Sequence, residues 1–206
     1  MGQKTANLLL SKPLRQALPE AMAARVQLRF EQLYATCDLP SNPGLQGHLR
    51  EYILPGLALY QLLREDGNSP EVALAQVDKT CEQLAIPSRN GMQRLGRLPF
   101  IYPALRLFIR LALRRYPAAG WQLEWVENSP HAIRFTMQRC FYYDSLSSQG
   151  APELTASFCR MDDLIYSEVS PYLEWRRTKT IGRGAAYCDF CFARATAKRT
   201  NQVESG

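Results

Sequence analysis

Residues 140–192, CFYYDSLSSQGAPELTASFCRMDDLIYSEVSPYLEWRRTKTIGRGAAYCDFCF, hold four of the chain's six cysteines and carry both helical and strand signals. After Gly150, Pro152 stands where a first helical turn tolerates proline, and Glu153 follows where the positive end of the helix dipole favours a carboxylate. The pattern predicts a helix over 152–168. On it Cys159, Asp162 or Asp163, and Tyr166 fall at i, i+3 or i+4, and i+7, so one face combines a thiol, a carboxylate and a phenol. From Tyr172 to Ile181 the period changes to two, with Leu173, Trp175 and Arg177 on one side and Glu174, Arg176, Thr178 and Thr180 on the other. Gly182-Arg183-Gly184 supplies a turn, and Ala185 to Ala193 returns as the second strand of a hairpin. In that strand Cys188, Phe190 and Phe192 share one face and Tyr187, Asp189 and Cys191 the other, so Cys188 and Cys191 diverge.

Upstream of this stretch, WQLEWVEN (121–128) and AIRFTMQRC (132–140) read as two strands joined by the Asn128-Ser129-Pro130 turn. The predicted strands span about 121–128 and 131–140, with Arg134, Thr136, Gln138 and Cys140 on one face. A short helix over 141–148 completes a β-β-α-α-β-β order. The residues before Trp121 are helical. Pro19-Glu20 starts a helix to about Thr36, and a Pro- and Gly-rich loop follows over 37–47. A helix over 48–65 should kink or break at Pro55. Ser69 caps a helix from Pro70 to about Leu84, before a break at Ile86-Pro87-Ser88. Residues 98–115 form a basic amphipathic helix, with Arg106, Arg110 and Arg114 opposite Leu105, Phe108, Ile109 and Ala112. Residues 1–12 show little pattern. The expected fold class is α/β: a helical region over 1–118 packed on a small antiparallel sheet over 119–195, as one compact domain with a polar tail at 196–206.

The 206 residues are 46% hydrophobic, enough for a real core, and carry a formal charge of +6. That charge suits an anionic small-molecule substrate, an acidic partner or a membrane surface. The basic helix over 98–115 would serve the last of these, although such helices more often pack on their own domain. No nucleic-acid motif is present, so nucleic acid is not an expected partner. Nothing in the sequence sets an oligomeric state. No signal peptide opens the chain and no apolar run reaches the ~18 residues of a spanning helix, which predicts a cytoplasmic protein with six reduced thiols.

The runs GAPELTASFCRMDDLIY and RRTKTIGRGAAYCDFCF, with REYILPGLALYQLLREDGNSPEVALAQV upstream, resemble the L-2-amino-thiazoline-4-carboxylic acid hydrolase family over about residues 45–192. The resemblance implies a hydrolase acting on C–N bonds of a cyclic amidine, which opens a 2-amino-thiazoline ring to an N-carbamoyl cysteine. A related reaction in a biosynthetic pathway would use the same scaffold. Ring opening needs a nucleophile, a proton carrier and groups that hold the substrate. The catalytic candidates are Cys159 and Cys188 as thiolates, with Asp162, Asp163 and Glu153 to move protons or activate water. The substrate-binding candidates are Cys140, Tyr166, Arg176, Thr178 and Thr180, with Arg177 beside them. No histidine lies in the segment. His48 reads as a helix-start residue and His131 as an exposed one, so a Cys-His pair would need one of them to arrive from elsewhere in the fold. The alternative is a non-catalytic binding or sensor domain, similar to those related to four-vinyl reductases. No cofactor is expected. In the alternative, Cys140, Cys159 and Cys188 with one carboxylate would make a zinc set, although their separations match no compact zinc motif.

Overall fold

The computed structural model describes residues 8–195. The helices before the sheet are α1 (Lys12–Ala17), α2 (Glu20–Thr36), α3 (Pro43–His48), α4 (Leu54–Glu65), α5 (Pro70–Gly96) and α6 (Ile101–Ala112). Their starts follow local chemistry. Asn42 Oδ1 accepts from Gly44 N–H at 2.9 Å to open α3, and Ser69 Oγ accepts from Val72 N–H at 3.3 Å to open α5. Val26 and Phe30 of α2, Leu57 and Ala58 of α4, and Ala73 and Val77 of α5 build one apolar cluster.

Four features of this half differ from expectation. Residues 1–12 carry little pattern beyond Leu8-Leu9-Leu10 and are expected to be loosely held, yet Leu10 is buried in that cluster with Leu14, and α1 begins at Lys12. The predicted loop over 37–47 already contains most of α3. Pro55 does not break the following helix. A π turn over Leu49–Ile53, in which Leu54 N–H donates to Leu49 O, widens the ladder just before the residue that has no N–H to give. The stop predicted at Pro87 does not occur either, and α5 continues to Gly96. An internal proline costs a helix about 3 kcal/mol. Here Pro87 is solvent-exposed, while the opposite side of α5 packs against α8, described below. Burial of Val77, Cys81 and Ala85 on that inner side offsets one missing hydrogen bond.

The sheet comprises β1 (Trp121–Asn128), β2 (Ala132–Cys140), β3 (Leu173–Arg176) and β4 (Cys188–Arg194), with α7 (Phe141–Ser148) and α8 (Thr155–Tyr166) between β2 and β3. The strand order is β1-β2-β4-β3, and each neighbouring pair is antiparallel. Ile133, Phe135, Met137, Cys188 and Phe192 line the inner face and form a second apolar cluster with Ile101, Tyr102 and Ile109 of α6. Phe141 and Tyr142 pack against both clusters.

Two register details correct the alternation read from sequence. Gln122 pairs with Arg139 and Leu123 with Met137, so Gln138 is an extra residue in β2. This bulge moves Cys140 off the face expected for it and into the interior. The predicted strands over 172–181 and 185–193 are also shorter, and the connection is a wide loop rather than a tight turn. The Asp189 carboxylate accepts from Thr178 N–H (2.9 Å), the Thr178 hydroxyl (2.7 Å) and Lys179 N–H (2.6 Å), which draws the chain out of the ladder after Arg176. A 3-10 turn over Ile181–Arg183 follows, closed by Gly184 at φ 86°. Expectations for the tail over 196–206 lie outside the described residues. No helix among those described is long and apolar enough to cross a membrane.

Candidate functional site

At the end of the sheet nearest Cys140, α8 presents Cys159, Asp162 and Tyr166 toward the interior, as its periodicity requires. Arg177 leaves β3 and enters the same region with its side chain only 2% exposed. Its guanidinium lies 5.5 Å from the Trp175 ring centre and 5.4 Å from that of Phe190. Nη1 meets Asp162 Oδ2 at 3.0 Å, Nη2 meets Asp163 Oδ1 at 2.9 Å, and Nη2 also donates to the Cys159 carbonyl. One buried cation thus serves two consecutive carboxylates.

The carboxylates are held differently. Asp163 Oδ1 also accepts from Trp175 Nε1–H at 3.1 Å, and its Oδ2 has a looser ion pair with Arg183 at 3.5 Å. Asp162 has a single partner, and its Oδ1 accepts no hydrogen bond among the described residues. Burial pushes the Asp162 carboxyl above its ordinary range and Arg177 opposes that shift, although 37% of its side-chain surface remains accessible. Asp162 thus lies in a recess, with the fold packed around it and part of its side chain still accessible.

Three thiols border this recess. Cys159, Cys188 and Cys140 lie within electrostatic reach of one another. Burial pushes Cys188 up to about 11 and Cys140 up to about 12. Cys159 is also raised by burial, against the pull of Arg177 and a backbone hydrogen bond from Gly182. Ile181 N–H points at Cys188 Sγ, 3.3 Å away. Gly182 permits this approach: a Cβ there would lie 2.9 Å from Thr155 Cγ2 and 3.0 Å from Cys159 Sγ. The Thr180 hydroxyl sits beside the Cys159 thiol, though no bond of ordinary geometry joins them. Thr155 and Thr180 are both buried, and neither hydroxyl has a partner among the described residues. No group of three or more His, Cys, Asp or Glu among the described residues is arranged to hold a metal ion, and the three thiols are included in that statement.

The remaining wall is aromatic. Burial raises the Tyr116, Tyr142 and Tyr166 hydroxyls, and the charge of Asp162 raises each further. Tyr142 bonds to His48 Nδ1 at 3.1 Å, while His48 Nε2 lies 2.9 Å from Arg115 O. A carbonyl only accepts, so Nε2 carries the imidazole proton and Nδ1 receives the Tyr142 hydroxyl. Burial lowers the His48 pKa, which favours this neutral form. The Arg115 guanidinium is exposed and lies within electrostatic reach of His48 and Tyr116.

Of the residues singled out from sequence, Cys140, Cys159, Asp162, Tyr166, Thr180 and Cys188 come together, with Asp163 behind them on Arg177. Glu153 stands apart, exposed and accepting from the Tyr60 hydroxyl at 2.7 Å. Arg176 pairs with Glu174 at 2.6 Å on the exposed side of the sheet, and Thr178 is bound to Asp189. His131 is exposed. Tyr116 and Tyr142 were not anticipated, and His48, considered as the possible partner of a cysteine, pairs with Tyr142 instead. His48 and Tyr142 stand 94 positions apart, and only the arrangement of α3 against α7 joins them. Two surface clefts of about 380 and 230 Å³ lie on the outer side of α8, lined in part by Glu82 and Arg89 and by Arg160 and Arg183 respectively. Neither reaches the thiols.

Fold and site define a small helical α/β protein with a recess where one carboxylate, a tyrosine–histidine pair and three buried thiols lie within electrostatic reach of one another. The family model for L-2-amino-thiazoline-4-carboxylic acid hydrolase matches residues 47–192, most of the chain and all the residues of the recess, and the protein belongs to that family. Comparison with curated proteins and with solved structures gives no match.

Proposed function

We propose that this protein hydrolyses a 2-amino-thiazoline carboxylic acid, or a closely related cyclic amidine, with Asp162 activating the attacking water. The observation that carries this reading is the asymmetry of the carboxylate pair. Asp163 takes Arg177 and Trp175 on Oδ1 and lies 3.5 Å from Arg183 through Oδ2, whereas Asp162 Oδ1 has no partner among the described residues while Arg177 favours its ionised state. The neighbouring thiols are held neutral by burial, which disfavours attack by any of them at neutral pH.

Water adds to the ring carbon between sulfur and the two nitrogens as Asp162 takes one of its protons. Collapse of the tetrahedral adduct breaks the carbon–sulfur bond. The oxygen becomes the carbamoyl carbonyl, one water proton ends on the ring nitrogen and the other on sulfur. Both carbon–nitrogen bonds survive, so the expected C–N cleavage is replaced by C–S cleavage. Tyr142, whose hydroxyl bonds to neutral His48 in the free protein, turns that proton to the departing sulfur and takes up the proton of the adduct's hydroxyl in its place. Arg115 at the rim meets the substrate carboxylate.

The test is release of free thiol and a urea-type product from L-2-amino-thiazoline-4-carboxylate by the purified protein. Asp162→Asn should lower turnover by roughly 10²-fold or more, while Cys159→Ser and Cys188→Ser retain it. No turnover by the wild-type protein would refute the assignment. Loss in Cys159→Ser with retention in Asp162→Asn would instead make Cys159, flanked by Arg177 and Gly182 N–H, the nucleophile.

A further inference from the structure

Between Arg94 and Leu123 the chain carries six arginines and no aspartate or glutamate. α6 lies in the middle of this stretch. Its inner side buries Ile101, Tyr102 and Ile109 against the sheet. Phe108 was expected on that side, but it faces out. The outer side exposes Leu107 (74%), Phe108 (58%) and Leu111 (57%), with Phe100 (58%) two turns before Leu107. On a helical projection Leu107 and Leu111 form a stripe bordered by Arg110 and Arg114. The patch continues onto edge strand β1. There the Trp125 ring, 38% exposed, takes the Arg110 guanidinium at 5.2 Å. Arg94, Arg97, Arg110 and Arg114 make no ion pair among the described residues.

A contiguous apolar face of this kind on a soluble fold marks a surface that something covers. The charge identifies the cover. A second copy would bring the same arginines against one another, which disfavours self-association. The outside of a helix is also a ridge, without the pocket into which a protein partner places its anchoring side chains. Leucine and phenylalanine on a ridge bordered by arginine match a phospholipid interface, where apolar side chains enter the acyl boundary and guanidinium groups reach the phosphates. We propose that the outer face of α6, with Trp125 of β1, docks peripherally on an anionic phospholipid surface. Side chains enter the interface and no helix crosses it.

The experiment is sedimentation of the full chain with phosphatidylcholine vesicles, with and without about one third phosphatidylglycerol, at low and physiological salt. The protein should sediment with the anionic vesicles only, and less so as salt rises. Leu107→Gln with Leu111→Gln should reduce binding by roughly tenfold or more. Both positions are exposed, so circular dichroism should show an unchanged fold. Arg110→Gln with Arg114→Gln should weaken binding most at low salt. Absence of sedimentation with anionic vesicles overturns the proposal, as does equal binding by the leucine variant. Light scattering that shows a dimer dissolved by the leucine changes also overturns it, by making a second copy the occupant.

Discussion

Arg177 fixes the chemistry of the recess, because one buried guanidinium has to neutralise two carboxylates and leaves one of them incompletely bound. The consequence for Asp162 is testable through pH. Burial, opposed by Arg177, places its folded-state pKa above the ordinary carboxylate value. A general base works only when ionised, so turnover should rise with pH through a limb lying above the usual value of about 4. The expected acid limb of the kcat/KM profile is absent in Asp162→Asn and unchanged in Glu153→Gln, since Glu153 bonds to Tyr60 away from the recess. An identical limb in Asp162→Asn would assign the titration to another group.

Among the elements, α5 and the 177–187 connection show packing overriding local signals. α5 absorbs Pro87 because its inner face packs against α8 and its last residue, Gly96, against Val169 and Ser170 beyond α8. Pro87→Ala would restore a backbone donor at an exposed position with no loss of packing. It should stabilise the protein by roughly 1–3 kcal/mol, read as a higher urea midpoint with unchanged slope. A lower midpoint would mean that Pro87 constrains the helix in a way its geometry does not reveal. In the connection, the three hydrogen bonds to Asp189 replace strand pairing and set the 3-10 turn whose N–H groups reach Cys159 and Cys188. The same carboxylate therefore shortens the hairpin and shapes the thiol side of the recess.

At the scale of the whole molecule, His48 joins the helical half to the sheet half. Its ring lies 4.8 Å from that of Trp121 and 5.6 Å from that of Tyr116, and its nitrogens reach Tyr142 and Arg115. Burial depresses its pKa, so the folded protein binds fewer protons than the unfolded chain near the unperturbed value of 6.5. Its contribution is present above that pH and is lost as pH falls toward the depressed folded value. Urea midpoints should therefore drop between about pH 7.5 and 5.5 in the wild-type protein and vary less in His48→Gln. An equal drop in both proteins would place the titration elsewhere.

The sequence by itself determined the β-β-α-α-β-β order, the α8 face bearing Cys159, Asp162 and Tyr166, and the turn at Asn128-Ser129-Pro130. Each depends on neighbours a few residues apart, where period and backbone chemistry act directly. The resemblance over about residues 45–192 likewise pointed to the family that matches. Tertiary structure alone decided the rest. Whether Pro87 ends a helix depends on what the other side of that helix buries. Whether Cys140 faces inward depends on one bulged residue, because a shift by one exchanges the faces of a strand. The choice of Arg177 over Arg176 for the interior required the Trp175 and Phe190 rings that enclose it. The pairing of His48 with Tyr142 left no local trace, because two residues so distant in sequence interact only after both apolar clusters have formed around them.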